Sequence, residues 1–140
     1  RQSRYKEYIQ RGGKNGYEIE HIWANHFEEH SDEFSHPDDF EDYRNRIGGL
    51  LLLPKRFNAS YGDLPYEQKK KYYAIKQNLL AQSLCNETYE HDPGFNQFIA
   101  ESNLPFKPYE SFRKVDLDER QNLYITLAEQ IWNPENIKKV

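Results

Sequence analysis

Methionine is absent from this 140-residue chain, and cysteine occurs once, at Cys85. One cysteine excludes an intrachain disulfide and a thiolate zinc cluster, so packing and polar contacts must hold the fold, and Cys85 itself reads as a small buried hydrophobe. No segment approaches the roughly 20 apolar residues of a membrane helix, and the opening Arg1-Gln2-Ser3-Arg4-Tyr5 lacks the apolar core of a signal peptide. The default expectation is a soluble, intracellular, cytoplasmic protein with no membrane partner. A chain without methionine that starts at Arg1 reads as a piece of a longer protein.

Aromatic residues are plentiful, with 11 Tyr and 8 Phe, which argues against disorder despite 30% charged residues. The length suits one domain with one site. Net charge is −4, a value that disfavours a nucleic-acid partner until its distribution is read. Residues 28–42 carry eight acids and no Lys or Arg. Residues 44–76 carry eight basic residues, Arg44, Arg46, Lys55, Arg56, Lys69, Lys70, Lys71 and Lys76, against only Asp63 and Glu67. That second segment alone could build a phosphate-binding face.

Periodicity predicts an α+β domain. A short helix over Arg1–Gln10, with Tyr5, Tyr8 and Ile9 inward, ends at Gly12-Gly13 and the Asn15-Gly16 turn. Residues 17–23 alternate as a strand, with Tyr17, Ile19, His21 and Trp23 on one face and Glu18, Glu20 and Ile22 on the other. The acidic stretch reads as loop and short helix anchored by Phe34, Phe40 and Tyr43. Leu50 to Leu53, closed by Pro54, suits a buried second strand. A helix is expected from Leu64 to about Leu84, with Tyr72, Ile75, Leu79, Leu80 and Leu84 inward and lysines 69–71 and 76 toward the other side. Further helices are expected over Phe95–Glu101 and from a capping Asp116, with Glu119 three residues on, through Leu117, Tyr124, Leu127, Ile131 and Trp132.

Hydrolysis of a phosphodiester needs an activated water, a cation for the charge that grows on oxygen, and positive groups for the backbone. Residues 20–71 contain candidates for each: the adjacent Glu20 and His21, the neutral oxygen donor Asn58 five residues after Leu53, and the lysine-bearing helix. Glu20-His21-Ile22, then Ile47-Gly48-Gly49-Leu50-Leu51-Leu52-Leu53 and Asn58, then Leu64-Pro65-Tyr66-Glu67-Gln68-Lys69-Lys70 resemble the HNH (His-Me finger, ββα-metal) nuclease motif. The chain is most similar to the C-terminal nuclease domain of GmrS–GmrD type modification-dependent restriction and phage-defence proteins, over about 55 residues from Tyr17 to Tyr72.

The resemblance implies a ββα-metal core with additional packing helices and a helical C-terminal third. It implies an endonuclease that nicks or cuts foreign, possibly modified, DNA with one Mg²⁺ or Mn²⁺ and leaves 5′-phosphate and 3′-hydroxyl ends. His21 would be the general base, and Glu20 and Asn58 the metal ligands. Lys55, Arg56 and Lys70, flanking Asn58, are the DNA-backbone candidates. The parent chain would carry an N-terminal nucleotide-hydrolysing domain. Gly49 departs from the pattern, standing where the family has a middle asparagine that braces the base; Asn45 is a nearby polar residue that could substitute.

Simpler readings compete with each assignment. His21 could be a satisfied core residue, Glu20 a surface carboxylate, Asn58 a turn or cap residue in a loop-like Asn58-Ala59-Ser60, and the lysine run a solvated helix face. Gly49 and the negative net charge favour a catalytically decayed HNH-fold module that binds DNA or protein. His26, His30 and His36 raise a zinc hydrolase, which no cysteine supports.

Overall fold

The computed structural model describes residues 5–75 and 77–137. Lys76 and the first four residues of the expected N-terminal helix therefore lie outside the described residues. In order, the elements are α1 (Tyr5–Ile9), β1 (Tyr17–His21), α2 (Pro37–Arg44), β2 (Leu50–Pro54), α3 (Lys55–Tyr61), α4 (Tyr66–Tyr73), α5 (Leu79–Gln82), α6 (Asn86–His91), α7 (Pro93–Ser102), α8 (Lys114–Ile131) and α9 (Pro134–Ile137). Short 3-10 turns lie at Phe27–His30 and Ile47–Gly49. The domain is α+β with a helical C-terminal third, as the periodicity predicts.

β1 and β2 pair antiparallel, from Tyr17 opposite Pro54 to His21 opposite Leu50. The turn before β1 returns the chain tightly: Gly13 has φ +77°, a conformation that favours glycine, and Tyr17 donates its amide to Gln10 O at 3.0 Å. Opposite residues share a face, so Glu20 lies with buried Leu51, while His21 lies with half-buried Leu50. The inner face is thus the one carrying Glu20, and Ile19 stands 47% exposed. Alternation alone marks two faces without saying which is covered, and here a partner from α4 makes the acidic face the inner one. Burial of Leu51 and Leu53 stabilises the domain by about 1.5–3 kcal/mol each.

The segment between the strands folds on Trp23. Its ring stacks on Phe40 with centroids 5.8 Å apart and meets Phe34 edge-on, and its indole N–H donates to Phe112 O at 2.6 Å. Pro37 sits at the start of α2, and Asp38 and Asp39 fill its first turn, where the helix dipole favours acids. Other acids of this stretch hold the start of α8. Arg113 contacts Asp32 and Glu33, and Glu33 also accepts from the Lys114 amide at 2.9 Å. Four of the eight acids in this run are therefore placed at two helix N-termini.

Three helices differ from expectation. Residues 55–61 form α3 instead of a loop, because Phe57 and Tyr61, four apart, pack with ring centroids 4.9 Å apart. The single helix over 64–84 is divided into α4 and α5; Asn78 caps α5 by accepting from the Ala81 amide and ties the break to β2 by donating to Leu52 O. Asp116 is the third residue of α8, accepting from the Arg113 amide at 2.7 Å, so Arg113 takes the cap position and the helix starts three residues earlier than a capping Asp116 implies. At the ends, Tyr5, Ile9, Ile131 and Trp132 are exposed where inward positions are expected. Arg120, fully buried, reaches the Leu80 carbonyl and the Ser83 hydroxyl and locks α8 to α5.

α8 crosses the turn that precedes β2 at van der Waals limits. A Cβ on Gly48 would stand 2.5 Å from Leu117 O and 2.7 Å from Gln121 N, both rigid backbone atoms. Gly48→Ala should therefore destabilise the domain by about 3 kcal/mol, the upper end of overpacking costs, measured by urea unfolding. An unchanged midpoint would mean that α8 does not seat as described.

Candidate functional site

His21 ends β1, half-buried, and its backbone is fixed from three sides. Leu50 pairs with it, the next amide, Ile22, donates to Gly49 O at 2.9 Å, and Lys69 Nζ donates to His21 O at 2.8 Å. The imidazole Nε2 lies 2.8 Å from Asn45 Oδ1. A carboxamide oxygen only accepts, so Nε2 carries the proton and Nδ1 is the nitrogen with a free lone pair. Burial holds the His21 pKa below the ordinary imidazole value, the Asn45 hydrogen bond opposes that, and Arg44 adds to the lowering. His21 is consequently neutral at neutral pH.

Asn45 is delivered to His21 by α2. It is the C-cap residue, its amide donating to Glu41 O and Tyr43 O, while the preceding Arg44 donates Nε to Trp23 O at 3.0 Å. The end of α2 is thereby tied to the chain just past β1. Asn45, the nearby polar residue named from the sequence, thus makes a direct hydrogen bond to the imidazole. Gly49 is explained by space: a Cβ there would meet Leu117 Cδ1 at 3.0 Å and Arg44 O at 3.2 Å.

Asn58 projects from α3 to the edge of β1, donating Nδ2 to Ile19 O at 2.9 Å. That bond fixes the carboxamide so that Oδ1 faces away from the strand, toward Gly62, where a Cβ would come within 3.2 Å of it. The missing side chain keeps the oxygen open. Chemically, Asn58 Oδ1 fits a hard divalent cation.

Glu20 requires a correction. The structure turns it to the face of β1 opposite His21: it is 1% exposed and its Oε1 accepts from Lys69 Nζ at 2.7 Å and from Tyr73 OH at 2.9 Å. Lys69 already balances its charge, so as packed Glu20 is an internal anchor and does not fit as a metal ligand. Burial lowers the Lys69 pKa against the pull of Glu20, and burial raises that of Tyr73 well above the phenol range. Adjacent strand residues point to opposite faces, and no bulge in the pairing reverses that here.

The basic residues separate. Lys55 and Arg56 are exposed at the start of α3, with Lys55 Nζ 3.5 Å from Glu18. Lys70 is largely covered and paired with Glu110 at 3.0 Å, and only Lys71 of the lysine run is exposed. The histidines raised for zinc also separate: His30 is buried against Trp23 and Glu33, and His26 pairs with Asp63 at 3.1 Å. Among the described residues, no group of three or more His, Cys, Asp or Glu is arranged to hold a metal ion. No described helix is long and apolar enough to cross a membrane.

The GmrSD restriction endonucleases, C-terminal domain, match the chain over residues 1–139. The chain belongs to this family. No curated protein and no solved structure gives a significant match. Membership makes this GmrSD-type domain part of a group of restriction endonucleases, so a nuclease is the coarse functional reading.

Sequence reasoning did not find Lys69 and Tyr73 as partners of Glu20. A Lys and a Tyr four apart on one helix, following an acid-bearing strand, is the only signal the sequence carried. Lys69→Met should cost about 3–5 kcal/mol, because it strands a buried carboxylate, and the double variant Glu20→Leu/Lys69→Met should recover most of that in urea unfolding. Equal losses in both would show that the ion pair is not what stabilises this region.

Proposed function

We propose that this GmrSD-type domain is an HNH-class, ββα-metal DNA endonuclease of bacterial defence in which His21 is the general base. The observation that carries the reading is a neutral, half-buried imidazole at a strand end, oriented through Nε2 by Asn45, with Nδ1 left as proton acceptor. Such a group takes a proton from an attacking water. Asn45 is a positioning residue: it holds the ring's tautomer and angle. Lys69 positions the same ring by gripping the His21 carbonyl.

Asn58 would hold a Mg²⁺ or Mn²⁺ ion through Oδ1, and the ion would supply charge stabilisation at the scissile phosphate. With one neutral protein oxygen, water and phosphate must fill the remaining shell, as Mg²⁺ tolerates. Affinity for the ion without DNA should then be weak. The reading extends to foreign, possibly modified DNA as substrate and to an upstream nucleotide-hydrolysing domain in the parent chain, as the resemblance of the Tyr17–Tyr72 motifs implies. The burial of Glu20 favours the second reading, a decayed module that binds DNA without cutting it.

Plasmid cleavage separates them. His21→Ala should lower the rate by about 10²–10⁴-fold with the thermal midpoint retained; cutting at the wild-type rate would remove His21 from the mechanism. The base acts when deprotonated and its pKa is lowered, so the rate should rise with pH with its midpoint below the reference near 6.5. Asn45→Asp puts a carboxylate against the Nε2 proton, stabilises the imidazolium and should move that rise to higher pH. A profile unmoved by Asn45→Asp would deny Asn45 its positioning role.

Chelation should abolish cutting without a change in thermal midpoint. Asn58→Ala should raise the metal concentration required, and a midpoint loss with normal metal response would make Asn58 structural only. No cleavage by the wild type across Mg²⁺, Mn²⁺ and modified or unmodified DNA would favour the binding module.

A further inference from the structure

A groove of about 690 Å³ runs between the turn that precedes β1 and the first turn of α3, lined by Gly13, Lys14, Asn15, Lys55, Arg56 and Ala59. Three cations and no carboxylate line it. The walls are held together by the Lys55 amide donating to Gly16 O at 2.9 Å, so the groove is part of the hairpin frame. The space beside Gly13 is open, since a Cβ there would meet nothing within 4 Å. Among the described residues, neither Lys14 nor Arg56 has an ion-pair partner, and the Lys55–Glu18 contact is a half-exposed pair of the weak kind.

We propose that this groove is the track for the DNA sugar-phosphate backbone leading into the site, with Lys14, Lys55 and Arg56 each taking a phosphate. The inference rests on the nuclease reading for what the bound strand meets next. Charge chooses the occupant: three cations, two without an ion-pair partner among the described residues and one in a weak half-exposed pair, fit a repeating anion. Position supports it. On α3, Asn58 lies three residues from Lys55, on a neighbouring face, and is bonded to Ile19, midway along β1. Tyr17 at the groove end and His21 at the other are four strand steps apart, about 13 Å. One strand of a duplex advances about 3.4 Å along the axis per phosphate. A backbone seated in the groove therefore passes Asn58 and brings a phosphate about four nucleotides away to His21. Lys70, held by Glu110, is not part of the track.

The test uses the domain carrying His21→Ala in chelator, so that binding is read without cutting. Binding of a fluorescein-labelled random-sequence duplex is followed by anisotropy across a sodium chloride series. Lys14→Gln, Lys55→Gln and Arg56→Gln should each lower the slope of log K against log salt by about 0.9, and the triple variant by about three times that, with Lys107→Gln on the α8 side leaving it unchanged. In the cutting-competent domain the same three changes should raise KM and leave kcat near wild type, since none reaches the reacting atoms. A triple variant with the unaltered slope, or a loss matched by Lys107→Gln, overturns the groove. Wild type that binds with the predicted slopes yet cuts no DNA would overturn the nuclease reading and leave the groove standing.

Discussion

The site depends on one buried ammonium. Lys69 Nζ, on α4, binds both the Glu20 carboxylate and the His21 carbonyl, and so joins a helix to the end of β1 at the residue next to the proposed chemistry. An unpaired carboxylate on the inner face would be too costly to bury, and β1 could not then keep Glu20 inward and His21 outward. Tyr73, one helical turn beyond Lys69, accepts the same task by donating to Glu20 Oε1. The alternation of the strand does the rest: with Glu20 anchored inside, His21 has only the open side left to it.

A second constraint is the close crossing of α8 over the turn before β2. It forces glycine at position 48, makes position 49 tight, and removes the space in which a side chain from the start of β2 could brace the histidine. The brace arrives instead from the acidic excursion, whose helix α2 ends on Asn45. The same excursion uses its carboxylates on Arg113 and the Lys114 amide, which seats the helix that imposed the glycines. Packing, charge and the proposed site are thus parts of one closed loop of contacts.

The charge partition along the chain is also resolved by these contacts. Asp32, Glu33, Asp38 and Asp39 face helix N-termini and Arg113, while Lys69 and Lys70 are consumed by Glu20 and Glu110. Near Asn58 remain Arg56 and Lys55, the latter held only in a half-exposed contact with Glu18, joined by Lys14 from a turn that the basic segment does not include. A net charge of −4 therefore coexists with a local cationic groove.

The order of elements, the two strands, the aromatic anchors Phe34 and Phe40, and the family all followed from the sequence, because short-range periodicity and motif spacing are local properties. The sequence also nominated His21, Asn58 and, as a nearby polar residue, Asn45, which the structure bonds to the His21 imidazole. Helix α3 and the break before α5 were hidden, since both hang on long-range contacts, Phe57 with the core and Asn78 with Leu52. Which face of β1 is inner was decided only in three dimensions: alternation is symmetric, and the answer lay 49 residues away in Lys69. The same asymmetry moved Glu20 from expected ligand to anchor, because a carboxylate's role is set by the cation that reaches it first.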